Sequence, residues 1–233
     1  MPDLEGLLRG IDALTLSDKQ RVLKHVRALL PPHPMETRLM TTAETLLEAI
    51  SRASALTIRG IEGILPEASF ATEVLPAITG WSPVEPPADA AFDFLLTDLT
   101  PQPHVRLQVK MQRRKNHVPW MANNAMKSTR QWPANHYVVE VQRTRGGADA
   151  QGQGTRPYRF GEFDVLAVSS GASTGHWHAF SYTLADWLLA EPSDPTQILK
   201  YQPVPPHDTD SWTTNFLSAV TWLRSGVKKK IPG

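Results

Sequence analysis

The sequence predicts an α/β (α+β) fold, with helices interleaved with short apolar strands behind an N-terminal helical addition. Two observations carry that reading. Apolar residues recur at helical spacing in some stretches, and alternate or run continuously over strand length in others. Along the chain the main elements fall in the order helix, strand, strand, helix, strand, which calls for a sheet with helices packed on its faces. At 233 residues the chain suits one large domain with a small addition, and it is long enough to bury a substantial core.

The addition comes first, over residues 1–55. Ser17-Asp18-Lys19-Gln20 reads as a capping-box start for a helix to about Leu30, which Pro31 and Pro32 end; Thr41 to Glu44 is a second such start, for a helix to about Ala53. The core is expected over residues 56–226. Arg59 to Trp81 predicts a helix in which Pro66 suits the first position and Glu67 the first turn, with Ala71, Val74, Leu75 and Ile78 then sharing a face. Pro83 to Pro87 reads as a link to a strand over Phe92 to Leu96. A proline-marked turn at Pro101 to Pro103 separates it from a second strand, Val105 to Met111.

Pro119 to Gln131 predicts a helix and His136 to Gly147 a strand. Phe163 to Val168 is nearly continuously apolar, as a central buried strand would be. Then come an expected strand over His176 to Tyr182, a short helix over Leu184 to Ala190, and a longer one over Asp210 to Arg224. The longer helix has Trp212, Phe216, Val220 and Leu223 on one side and Gly226 past its end. Gly146 to Gly154 is a glycine-rich loop. Residues 227–233, with Lys228 to Lys230, form an expected basic tail.

Side chains alternate faces along a strand, so Gln108 and Lys110 share one face of the second strand while Leu107, Val109 and Met111 share the other. Asp93 lies on the strand before. Asp93 followed by Gln108-Val109-Lys110 resembles the PD-(D/E)xK nuclease superfamily in its QxK form, with glutamine in place of the second acid of the usual motif. A glutamine carbonyl can still face a cation but brings no charge. The similarity runs from about Arg59 to Trp222 and is most specific at QVK and at RPYRFGEFD, residues 156–164. The later strings look like the C-terminal half of some type II restriction endonucleases.

The resemblance implies a restriction-endonuclease-like core, a mixed β-sheet flanked by helices. It also implies sequence-specific, Mg²⁺-dependent hydrolysis of double-stranded DNA. Asp93, Gln108 and a helix glutamate would hold the metal; Glu67 is the candidate glutamate, with Glu62 and Glu73 as alternatives. Asp93, Gln108, Lys110 and Glu67 would then be the catalytic set, with Lys110 holding the attacking water. A palindromic target would favour a symmetric homodimer. Two other readings stay open: a non-catalytic DNA-binding protein on the same fold, and a repair or junction-resolving nuclease.

Charge is polarised along the chain. Met1 to Leu99 carries eight basic and fourteen acidic residues, whereas Val105 to Arg145 carries nine Lys or Arg against the single acid Glu140. Clustered cations suit a polyphosphate partner and give a salt-sensitive affinity for DNA. Arg113, Arg114, Lys115, Lys127 and Arg130 are the expected phosphate contacts, and Arg143, Arg145, Arg156 and Arg159 the expected readers of base edges. Glu162 and Asp164 are expected to orient Arg159 or Arg156, or to accept from a base, with charge pairing between neighbouring strands as the plainer role. Trp120 and Trp132 flank the basic helix, where they pack in the core or touch DNA.

Composition excludes several classes. With no cysteine there is no disulfide, no thiol catalysis and no cysteine-based zinc site. His176 and His178 share a face of an expected strand, but two ligands do not make a zinc centre. No Gly-x-Ser-x-Gly elbow, Walker loop or HExxH pattern occurs. No apolar stretch approaches about 18 residues, so neither a membrane span nor a secretion signal is expected, and the cytoplasm is the expected location.

Overall fold

The computed structural model describes residues 3–115, 118–125, 132–143 and 156–232. The chain divides into two compact units, Met1–Ile58 and Arg59–Gly233.

The first unit holds four helices: α1 (Leu4–Asp12), α2 (Leu16–Leu29), α3 (Pro34–Leu39) and α4 (Ala43–Ser51). The sequence announced two of them. The cap of α2 is Thr15, whose hydroxyl accepts from Asp18 N, rather than Ser17; Thr42 caps α4 in the same way. The short α3 is set by a capping box, with Pro34 in its first turn and Glu36 bonded back to His33 N. Glu36 also accepts from Ala43 N and Arg27, and these donors pull its carboxyl down to about 2. None of the four helices contains a buried residue.

The second unit starts within α5 (Ala55–Ser69), which passes into a π-helical turn, Phe70–Val74, and a 3₁₀ turn, Leu75–Ala77. This corrects the expected start at Pro66: the proline lies inside the helix. An internal proline lacks the N–H for the carbonyl four residues back, so local propensity argues for a break there. Pro66, Ser69 and Phe70 are all buried, and that tertiary burial holds the helix through the proline.

A five-stranded mixed sheet forms the centre of this unit, built from β1 (Ser82–Val84), β2 (Phe94–Thr97), β3 (Val105–Met111), β7 (Val165–Ser169) and β8 (Phe180–Leu184), adjacent in that order. Only β3 and β7 pair parallel; the other three pairs are antiparallel. The segment Pro83 to Pro87, expected as a link, begins with β1, an edge strand that tolerates Pro83. β3 has the bounds its sequence predicts. β7 is buried at every position, as its apolar run requires of a central strand.

Smaller ribbons complete the unit: β4 (Arg114–Lys115) with β5 (Val118–Pro119), β6 (Tyr137–Glu140) with β11 (Tyr201–Val204), and β9 (Ala190–Glu191) with β10 (Asp194–Ile198). The helix expected over Pro119 to Gln131 is, among the described residues, only α6 (Ala122–Ala125). His176 to Ala179 precede β8 instead of belonging to it, with the short helix α7 (Gly171–Thr174) before them; only Ala185–Trp187 is helical where Leu184 to Ala190 was expected. The last helix, α8 (Phe216–Ser225), is capped by Asn215 and closed by Gly226 at φ +66°, leaving Trp212 buried outside it. The glycine-rich loop Gly146 to Gly154 lies outside the described residues.

The main core packs Phe70, Leu96, Leu107, Val109, Val165, Phe180 and their neighbours around the sheet. A second, smaller cluster joins Ala122, Trp132, Val138 and Leu199, with Trp120 set edge-on to Tyr201. Trp132 is therefore a core residue. The expected basic tail packs back onto the unit: Ile231 is buried, its N–H bonded to Trp187 O at 2.9 Å, and Lys229 lies over the Trp187 and Trp222 rings. No helix among the described residues is long and apolar enough to cross a membrane.

Candidate active site

Asp93 sits one residue before β2 yet stays in the ladder, donating its N–H to Leu107 O at 3.0 Å. That pairing aims its carboxylate across at β3, where Oδ2 accepts from Val109 N at 2.8 Å and from Gln108 Nε2 at 2.5 Å. Gln108 Nε2 also reaches Val109 O at 3.2 Å. Gln108 is 1% exposed, and its Oε1 is buried without a hydrogen-bond partner. A buried carbonyl left unpaired costs stability unless something else satisfies it.

Lys110, two residues on along β3, and Glu67, from α5, complete the group. Burial pushes the Glu67 carboxyl up to about 7, with the Asp93 carboxylate adding to the rise and Lys110 opposing it. Burial likewise raises the Asp93 carboxyl, against the pull of Lys110 and of the Val109 N–H. Burial lowers the Lys110 ammonium, opposed by Asp93, Glu67 and Glu140 and reinforced by Arg143. Two carboxyls that resist ionising and a lysine that resists protonation mark a desolvated polar cluster.

Of the three helix glutamates, Glu67 is the one whose charge acts on Lys110 and which feels Asp93. Glu62 is ion-paired to Arg114, and Glu73 accepts from Ser69 Oγ and pairs with His178 at 3.4 Å. Glu73 and His178 instead line a cavity of about 660 Å³ with Tyr182 and Phe216, away from the other candidate residues.

Among the described residues no three His, Cys, Asp or Glu side chains come together as a metal site. Around the Gln108 amide nitrogen lie the Asp93 carboxylate and the Val109 carbonyl, and the Glu67 carboxyl is close enough to feel the Asp93 charge. These oxygen groups suit Mg²⁺, an oxygen-seeking ion that takes one or two carboxylates and completes its shell with water and substrate oxygens. The unpaired Gln108 Oε1 fits such a ligand once the amide turns, because the amide now presents its nitrogen to Asp93.

The structure adds groups that the sequence did not single out. Lys110 Nζ donates to Tyr158 OH at 3.4 Å, and Tyr158 is 4% exposed. Glu140, on β6, gathers three cations: Arg113 at 3.3 Å, Arg156 at 3.5 Å and Lys200 at 3.6 Å. Lys200 lies far from the basic run in sequence, and no local pattern marks it.

Most of the described basic candidates carry an acid partner. Arg114 pairs with Glu62, Arg143 with Glu162, and Arg159 with Asp194, while Lys115 is exposed on β4. Lys127, Arg130 and Arg145 lie outside the described residues. Asp164 does not serve Arg159 or Arg156; it holds Arg106, across the β3–β7 pair, through Nε, Nη2 and the backbone N–H. Glu162 takes the side chain of Arg143 and the backbone N–H of Arg159. Both acids therefore pair charges between neighbouring segments. The His176 and His178 rings are 5.7 Å apart and tilted, in the turn before β8 and not on a shared strand face.

A scan against protein-family models, a search of the curated proteins and a search of the solved structures each find no match.

Proposed function

We propose that the chain is a Mg²⁺-dependent endonuclease of double-stranded DNA, of the type II restriction kind, on a restriction-endonuclease-like core. The observation that carries the reading is the convergence of Glu67, Asp93, Gln108 and Lys110, with Gln108 Oε1 buried and unpaired. The sheet supports it: an antiparallel β1, β2, β3 meander preceded by α5, then β7 parallel to β3, is the kind of mixed sheet the motif resemblance implies.

Each residue then has a task. The Val109 N–H fixes the Asp93 carboxylate, and the Gln108 amide holds it until a cation is bound. Glu67 joins by giving up its proton and Gln108 by turning its amide. A bound divalent ion would polarise the scissile phosphate and lower the pKa of an attacking water. Lys110, stripped of solvent and held at Tyr158, orients that water and offsets the charge building on the phosphorane. Arg113, Arg114 and Lys115 serve the phosphates, with Lys127 and Arg130; Arg145, Arg156 and Arg159 serve base edges, where arginine paired to guanine is the commonest specific contact.

The test is incubation with mixed DNA in Mg²⁺ against an EDTA control. Discrete fragments are expected. A smear points to a nonspecific or repair nuclease, preferential cutting of branched DNA to a junction resolvase, and intact DNA with a gel shift to a binder. Asp93→Ala and Lys110→Ala should each lower the cleavage rate by about 100-fold or more while duplex binding survives. Cleavage at the parent's rate by either variant would rule the assignment out.

A further inference from the structure

The segment RPYRFGEFD brings Tyr158 and Glu162 to the edge of the candidate site, and these two residues organise a second cation beside Lys110. Tyr158 is buried edge-on against Phe163, ring centroids 5.3 Å apart at 84°, so its ring is fixed. Lys110 Nζ and Arg143 Cζ each lie 5.3 Å from the centroid of that ring. Arg143 is anchored from behind: its backbone N–H bonds Arg156 O at 2.9 Å, and Nη2 donates to Glu162 Oε1 at 2.6 Å. Glu162 is held in turn by the Arg159 N–H at 2.9 Å. Arg143 Nε is buried without a hydrogen-bond partner.

Two cations against one aromatic wall repel each other, and the attraction of a ring face for a cation offsets only part of that. Of the two, only Arg143 has an acid at ion-pair distance among the described residues, and its side chain is still about a third exposed, at 32%. Asp93 and Glu67, the carboxylates that balance Lys110 from further off, are the groups a divalent ion would engage. With those charges committed, Lys110 is left for an anion to satisfy, and Arg143 beside it keeps only Glu162, which an anion would share.

We propose that Tyr158 is a positioning residue that sets Lys110 and Arg143 as a two-point grip on one nucleic-acid strand, Lys110 at the scissile phosphate and Arg143 at its neighbour. This rests on the nuclease reading and moves Arg143 from base edges to the backbone. The Tyr158 hydroxyl directs Lys110; its ring spaces Arg143; Glu162 holds the guanidinium until the strand arrives. The grip is blind to sequence, since phosphates carry none.

The experiment measures binding of a labelled duplex across a salt series and single-turnover cleavage in Mg²⁺, for the parent, Arg143→Ala, Tyr158→Phe and Tyr158→Leu. Arg143→Ala should weaken binding of every sequence alike, by about tenfold, and reduce the salt slope by about one. Tyr158→Phe keeps the ring and loses the hydroxyl, so cleavage should slow by about tenfold with binding unchanged. Tyr158→Leu should show both defects; if it does not fold, Tyr158→Phe and Arg143→Ala still decide the matter. The grip is overturned if Arg143→Ala relaxes preference at one base position with its salt slope intact, or if Tyr158→Phe cleaves like the parent. A parent that binds but never cleaves sinks the nuclease reading instead, and the grip then stands or falls on the Arg143→Ala salt slope.

Discussion

Gln108 donates its amide nitrogen to Asp93 Oδ2 at 2.5 Å, so the two central residues of the site are joined to each other and the amide oxygen is left buried with no partner. The contact needs a neutral amide at position 108. A second carboxylate would meet the first at this distance with only an added cation to separate them.

Gln108→Glu should therefore be conditionally stable. Without divalent ions it places two carboxylates together in a buried place, at a cost of about 2 kcal/mol or more, and the melting temperature falls by several degrees. Added Mg²⁺ should restore it beyond the parent's own response, since affinity rises with ligand charge. Thermal unfolding with and without Mg²⁺ measures this, and equal melting temperatures for parent and variant in EDTA would contradict it.

Glu67 sets a pH dependence. Its folded-state pKa, about 7, lies above the ordinary 4.5, so its protonated form stabilises the fold fully below pH 4.5 and that contribution is lost as pH rises through about 7. Glu67→Gln stays neutral, so its melting temperature should gain on the parent's over that window. Mg²⁺ needs the ionised carboxylate, so its affinity for the parent should climb over the same window with proton release. A constant gap between variant and parent at all pH values would refute the assignment.

Asp164 is a latch between β3 and β7. It accepts from Arg106 N at 2.8 Å, Nε at 3.1 Å and Nη2 at 2.6 Å, while Arg106 Nη1 reaches Gly161 O at 2.6 Å. Asp164→Asn removes charge and part of the fork, and should cost about 1–3 kcal/mol in urea unfolding. Cleavage by the folded fraction should be retained. Loss of activity at unchanged stability would instead place Asp164 in the site.

The C-terminal segment is predicted to matter for stability. Ile231 is 2% exposed, and Lys230 Nζ bonds Asp186 O at 2.8 Å. Ile231→Ala should cost about 2–4 kcal/mol by leaving a cavity. A change under about 0.5 kcal/mol, the usual scale of surface substitutions, would mean the segment is loosely held in solution.

The sequence by itself determined the pieces whose cause is local. Val105 to Met111 alternates over strand length and forms β3 with those bounds, and a short proline-marked turn brings the Asp93 strand alongside it. Gly226 ends α8 because only a residue that tolerates positive φ fits there. Tertiary structure decided what depends on burial and on distant partners. Pro66 sits inside a helix because buried neighbours outweigh its propensity. Lys110 meets Tyr158 from 48 residues away, and Arg114, Arg143 and Arg159 pair with acids that no spacing rule indicates. Periodicity and capping act over a turn or two of chain, whereas desolvation and charge pairing depend on which segments pack together; hence the strands of the site were legible and its surroundings were not.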